Sequence, residues 1–152
     1  MTNTTVPTTQ VPLAAPLYGA SFGQAVSRFF TKYATFSGRA SRSEYWWWTL
    51  ASVIISSVLY GLMMTLAFSG ATTSATGGMV PGPLFGLGVA IYAAWALATV
   101  VPGLALVWRR LHDTNRSGGY FFLAFIPFVG SIILLVFMLL DSVPAGARFD
   151  RA

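Results

Sequence analysis

The stretch YWWWTLASVIISSVLYGLMMTLAFSGATTSATGGMVPGPLFGLGVAIYAAWALATVVPGLALVW, Tyr45 to Trp108, decides the fold, because none of its residues is charged. A bilayer crossing takes about 20 apolar residues. The run therefore holds two spans and a connection. Residues 45–68 read as the first span and 84–107 as the second. The small, polar, turn-rich segment 69–83 is the loop between them. Trp46, Trp47 and Trp48 open the first span and Trp108 follows the second, where amphipathic rings prefer the headgroup level. In the second span Gly86, Ala90, Ala94 and Ala98 recur at every fourth position. They form a smooth ridge that permits close helix approach. Pro102 and Gly103 are expected to bend its last turns.

A third apolar run, YFFLAFIPFVGSIILLVFMLL, covers 120–140 and is interrupted by Pro127 and Gly130. One kinked span is the simpler reading. The alternative is a re-entrant hairpin of two half-length helices, which requires other helices to cover its irregular backbone. Upstream, residues 22–36 place Phe22, Val26, Phe29, Tyr33 and Phe36 at steps of three and four, with Arg28 and Lys32 on the other faces. That pattern predicts an amphipathic helix lying in the membrane interface. Gly38 ends it. Ser41 with Glu44 three residues later is a capping box in front of the first span. Residues 1–20 are Thr/Pro-rich and uncharged, and are expected to be a disordered leader before a single helical membrane domain at 21–149. The tail, DSVPAGARFDRA, reads as polar loop.

Composition agrees. The 152 residues are 55% hydrophobic and only 9% charged, against roughly 25% charged in soluble domains. An ordinary globular enzyme is excluded on that ground. Nine basic and four acidic residues give a net charge of +5. The charges flank apolar runs, so they read as topology signal and headgroup contact, with no nucleic-acid partner. Absence of cysteine removes disulfides and thiol chemistry, and the lone His112 is too little for a histidine metal site. No cofactor is expected.

Arg28, Lys32, Arg39 and Arg42 precede the first span, the 69–83 loop has no Lys or Arg, and Arg109, Arg110 and Arg116 follow the second. Positive-inside logic places the N-terminus and the 109–119 segment in the cytoplasm. Three spans then put the C-terminus outside, where Arg148 and Arg151 fit poorly. The same logic gathers Arg39, Arg42, Glu44, Arg109, Arg110, His112, Asp113 and Arg116 at one membrane face. Arg109 and Asp113 are i,i+4 neighbours and Arg110 and Asp113 i,i+3, and Glu44 is within reach of an arginine of the second segment. Two readings follow: a charge latch that docks helices, or a site for anionic headgroups or a phosphorylated ligand. Catalysis by a His112–Asp113 pair is the weakest reading, since no companion ligands or nucleophile geometry accompany it. No span carries an ionisable group, which argues against a coupled transporter.

YATFSGRASRSEYWW at 33–47, RRLHDTNRSGG at 109–119 and IPFVG at 126–130 resemble, in order and spacing, the YhaH-like family of small bacterial inner-membrane proteins, known as domain of unknown function 805. The likeness runs over roughly residues 29–149, with Gly38, Arg39, Arg42, Glu44, Arg109, Arg110, Leu111, His112, Asp113, Arg116 and Ser117 on motif positions. It implies a multi-span helical protein of the bacterial inner membrane and supplies no activity. The tail departs from the family form: Arg148 and Phe149 are present, but the flanking Asn and Gly are not. The expectation is an all-α integral membrane protein with three transmembrane helices, or two plus a hairpin, behind an interfacial helix. Its expected role is a non-enzymatic scaffold or interaction component. A small oligomeric pore or carrier is the alternative. The expected partners are the bilayer, anionic headgroups, a second copy or another membrane protein.

Overall fold

A computed structural model describes residues 11–150 of the chain. The fold is all-α, with four helices: α1 Phe22–Thr31, α2 Arg42–Phe68, α3 Phe85–Asp113 and α4 Val129–Leu139. Two 3₁₀ helices, Gly118–Phe125 and Pro144–Phe149, flank α4. The chain divides into two compact units, one of residues 49–101 and one of residues up to 48 together with those from 102 onward.

In the 49–101 unit, α2 packs on α3. Trp95 Nε1 donates to Ser56 Oγ at 3.0 Å. A Cβ on Gly88 would lie 2.9 Å from Met63 Cα, so the backbones pass with no space for a methyl group. The connecting loop carries a minimal hairpin, β1 (Thr72–Thr73) antiparallel to β2 (Met79–Val80). Apolar side chains point outward along both helices. Val58 is 65% and Leu97 73% exposed, and only 11% and 17% of the most apolar windows of α2 and α3 are buried. The core helix of a soluble protein would bury those windows; these helices leave them exposed and are long and apolar enough to cross a bilayer. The close approach at Gly88 differs from the one expected. Gly86, Ala90, Ala94 and Ala98 are all exposed, because the helix turns its Gly88 and Trp95 side toward α2.

The other unit holds α1, the start of α2, the end of α3 and everything that follows. Its first surprise is α1. Ser21 and Gln24 form a capping box at its start, but the helix stops at Thr31, short of the expected Phe36. Its basic side turns inward: Arg28 and Lys32 are buried beside Ala25 and Phe29, while Phe22, Phe30 and Tyr33 are exposed. Phe29 stacks on Trp48 at 3.4 Å between centroids. The chain turns after Lys32 so that residues 38–40 can pair elsewhere. Gly38 N donates to Phe149 O, Arg39 N to Ala14 O, and Ala40 N to Arg109 O. Gly38 has φ +78°, and a Cβ there would fall 2.6 Å from Ala14 O, so no other residue suits the position.

Residues 11–20 are not the disordered leader expected of them. Leu17 and Ala20 are buried, and Arg28 Nη2 donates to the carbonyls of Pro12, Leu13 and Ala15. Leu17 and Ala20 supply apolar contact and the Arg28 guanidinium supplies donors to carbonyls that have no helix or strand to pair with. Residues 1–10 of that leader, and Arg151, lie outside the described residues.

The run 120–140 is not one helix. The 3₁₀ helix Gly118–Phe125 ends at Ile126, and α4 starts after Pro127 and Phe128, the latter at φ +61°. Gly130 sits so close to the preceding segment that a Cβ would fall 1.7 Å from Leu123 O. The two pieces pack on each other as a hairpin. Val143 N then donates to Asp113 O at 3.0 Å. The chain therefore leaves Asp113 and comes back to it. Pro127 lacks an N–H and interrupts the helix, and the return to Asp113 fixes the fold-back.

Candidate functional site

Two buried carboxylates organise the charged side chains. Glu44 enters through the capping box at the start of α2: Glu44 N donates to Ser41 Oγ, and Ser41 N to Glu44 Oε2 at 2.8 Å. Its other oxygen, Oε1, forms an ion pair with Arg28 Nε at 2.5 Å, with Lys32 Nζ at 3.9 Å. Glu44 is 3% exposed. No ion pair joins it to the 109–116 segment as expected; it acts on Arg109 through its field alone. The reason is the inward basic side of α1, which brings two cations to it first. Arg109 instead donates through Nε to Ala105 O, and its Nη2 is buried without a hydrogen-bond partner. Lys32 Nζ also lacks an acceptor. Burial pulls Lys32 down from 10.5 to about 8, and the Glu44 carboxylate only partly opposes this.

Asp113 closes α3 and is wholly buried. Arg110 Nη1 donates to its Oδ2 at 2.6 Å, the i,i+3 pairing, while the i,i+4 pairing with Arg109 is not made. Ser142 Oγ donates to the same oxygen. Tyr18 OH donates to Oδ1 at 3.4 Å, and Arg39 Nη1 stands 3.8 Å away. Arg110 further donates to the carbonyls of Met138 and Leu140, which capture the end of α4. Arg39 makes a two-pronged contact with Asp150, Nε to Oδ1 at 2.9 Å and Nη2 to Oδ2 at 2.7 Å. That contact holds the Arg39 guanidinium above its ordinary pKa.

The remaining expected residues are dispersed. Arg42 pairs with Asp141 at 2.6 Å in an exposed position. Arg116 lies over the Phe137 ring at 4.2 Å. His112 is buried, stacked 4.0 Å from the Phe149 ring, with Nδ1 at 3.0 Å from Gly38 O. Thus Arg39, Arg110 and Asp113 come together, Glu44 anchors a second group, and Arg42, His112 and Arg116 each serve a separate contact.

Sequence reasoning left out Arg28, Lys32, Tyr18, Asp141, Ser142 and Asp150. One signal was available for the first two. Arg28 and Lys32 are i,i+4 like charges on one helix face, a destabilising pair unless a carboxylate sits between them. Asp141 and Asp150 lie in a tail that reads as loop and becomes legible only once the chain returns.

A family model described as a protein of unknown function, DUF805, matches residues 33–151. The inner membrane protein YhaI of Escherichia coli K12 is 35% identical over 119 residues, covering 78% of this chain and 86% of that one. The inner membrane protein YhaH of the same strain is 36% identical over 117 residues, covering 77% and 85%. No solved structure matches.

Proposed function

The chain belongs to the DUF805 family of inner-membrane proteins, and from that premise we propose that it is a non-enzymatic interaction component of the bacterial inner membrane. Its buried arginine–carboxylate groups serve as a latch. All four acidic residues of the sequence are committed to arginines: Glu44 to Arg28, Asp113 to Arg110, Asp150 to Arg39 and Asp141 to Arg42. Two of these pairs are buried and a third, Arg39 with Asp150, is largely so, all consumed by internal contacts, which leaves little for a headgroup. The observation that carries the reading is Asp113. It gathers the end of α3, the segment after α4, the chain before α1 and, through Arg39, the tail. His112, covered by Phe149 and seven percent exposed, is poorly placed as a general base.

The proposed topology is two crossing helices, α2 and α3, with residues 118–142 entering one leaflet and leaving on the same side. The eleven residues of α4 rise about 16 Å at 1.5 Å each, half of a hydrocarbon core of about 30 Å. Both described ends of the chain then face the cytoplasm, the side that suits Arg148. The test is twofold. Reporters fused after residue 10 and after residue 150 should read the same compartment, and one inserted at 74–76 the opposite one. Arg110→Ala and Asp113→Ala should lower folded yield and the recovery of crosslinked partners. Variants that insert, fold and associate like the parent would end the latch reading.

A second reading, an oligomeric pore or carrier, draws on the exposed ridge at Gly86, Ala90, Ala94 and Ala98, a surface suited to close contact with another helix.

A further inference from the structure

We propose that a groove beside the Asp113 group is a binding site for a zwitterionic phospholipid headgroup, one that carries a phosphate diester and a primary ammonium. The groove has a volume of about 550 Å³ and is lined by Tyr18, Ser41, Arg42, Ser43, Asp141 and Ser142, among others. Among the described residues that line it, the charged ones are Arg42 and Asp141, one of each sign, paired at 2.6 Å. Both are accessible, at 49% and 81% side-chain exposure, unlike the charged side chains of the latch. An exposed pair of this kind is worth about 0–1 kcal/mol, so a ligand can part it at little cost.

The chemistry of the two partners selects the ligand. A lone anion would take Arg42 and leave Asp141 repelling it. A lone cation would do the reverse. A headgroup with both charges satisfies each at once: the planar guanidinium fork donates to two phosphate oxygens, and the carboxylate accepts N–H bonds from the ammonium. A quaternary ammonium has no N–H to give Asp141 and is recognised instead by aromatic cages; of the lining residues only Tyr18 is aromatic. Three of the lining hydroxyls are already engaged, Tyr18 and Ser142 on Asp113 and Ser41 on Leu17 O. They form a fixed polar surface and leave charge recognition to the pair.

Position favours a lipid-borne headgroup over a dissolved one. Arg42 is the first residue of α2, three before the uncharged run begins, and Asp141 directly follows the apolar run that ends at Leu140. Both therefore stand where apolar chain gives way to polar chain. Leu139, Leu140 and Val143, neighbours of Asp141, are exposed, and Arg42 Nη1 also holds Leu139 O at 3.3 Å. The proposal rests on the membrane placement argued above but not on the latch role.

The test uses the full-length protein in detergent, exchanged against an equimolar mixture of phosphatidylethanolamine, phosphatidylcholine and phosphatidylglycerol, with retained lipid measured by mass spectrometry. Phosphatidylethanolamine should be enriched over both others. Asp141→Asn should reduce that enrichment about tenfold, the loss of one charge-assisted contact, without reducing phosphatidylglycerol. Arg42→Gln should reduce retention of all three. Both side chains are exposed, so the unfolding midpoints should stay near the parent's and show that binding alone has changed. Equal retention of the three lipids, or an unchanged preference in Asp141→Asn, would overturn the proposal. Preferential retention of phosphatidylglycerol would replace it with an anionic site. Binding of free phosphoethanolamine as tight as that of the lipid would overturn the lipid as occupant.

Discussion

Replacing Lys32 with methionine should make this protein more stable at neutral pH, although it removes a cation that stands 3.9 Å from a carboxylate. The ammonium is 2% exposed and has no hydrogen-bond acceptor. Glu44 Oε1 is already held by Arg28 at 2.5 Å. Desolvation therefore outweighs attraction, and the folded-state pKa falls from 10.5 to about 8. A depressed lysine means that the unfolded chain binds the proton more tightly than the folded one. The resulting penalty is full below pH 8, shrinks as the pH rises through the window from 8 to 10.5, and vanishes above it. A shift of that size corresponds to about 3 kcal/mol at 1.36 kcal/mol per unit. Methionine keeps the aliphatic volume and removes the charge. Parent and Lys32→Met should be unfolded side by side in nanodiscs between pH 7 and 10.5. The variant should lead by up to about 3 kcal/mol at pH 7, on the order of 5–10 °C in midpoint, and the lead should close by pH 10.5. A difference that stays flat across that window, or a variant less stable than the parent at pH 7, would refute the reasoning.

Asp113→Ala leaves Arg110 buried without its carboxylate and should cost about 3–5 kcal/mol; the double variant with Arg110→Met should recover much of that, read as a double-mutant cycle in denaturant. Gly130→Ala places a methyl group against Leu123 O and should lower the thermal midpoint by the equivalent of about 1–3 kcal/mol, with greater cleavage by protease between residues 120 and 130. Ala94→Leu fills the exposed ridge on α3, and under the oligomer reading it should shift the assembly to monomer in mild detergent; a parent that is already monomeric argues against that reading. A reporter after residue 150 should give the same compartment as one after residue 10, because Phe149 O accepts from Gly38 N.

The uncharged run from Tyr45 to Trp108 carried the two long helices, and the Ser41–Glu44 spacing marked the start of α2 to the residue. These signals are local. The third apolar run was ambiguous for a physical reason. Pro127 and Gly130 are as compatible with a kink as with a reversal, and the Val143–Asp113 hydrogen bond that brings the chain back joins residues thirty apart. The inward face of α1 was hidden for a related reason. Aromatic residues occupy more than one side of that helix, so hydrophobic spacing did not say which side is buried; the Glu44 carboxylate does. Of the charged constellation, Arg110 with Asp113 could be paired by spacing. Arg39 with Asp150 could not, since nothing in either neighbourhood points to the other. Membership in the family was readable from the motifs alone, and activity was not, because the family has none assigned.

The grip of Arg39 on Asp150 sets a timetable for biogenesis. The two residues are separated by 111 positions, so when α2 enters the membrane the guanidinium that precedes it has no counterion from the tail. It must wait while the residues between the two are made. Closure of this end of the molecule is thus a late event in synthesis, and a chain stopped short of residue 150 would emerge with its first charged turn unsealed and open to the quality-control proteases of the membrane.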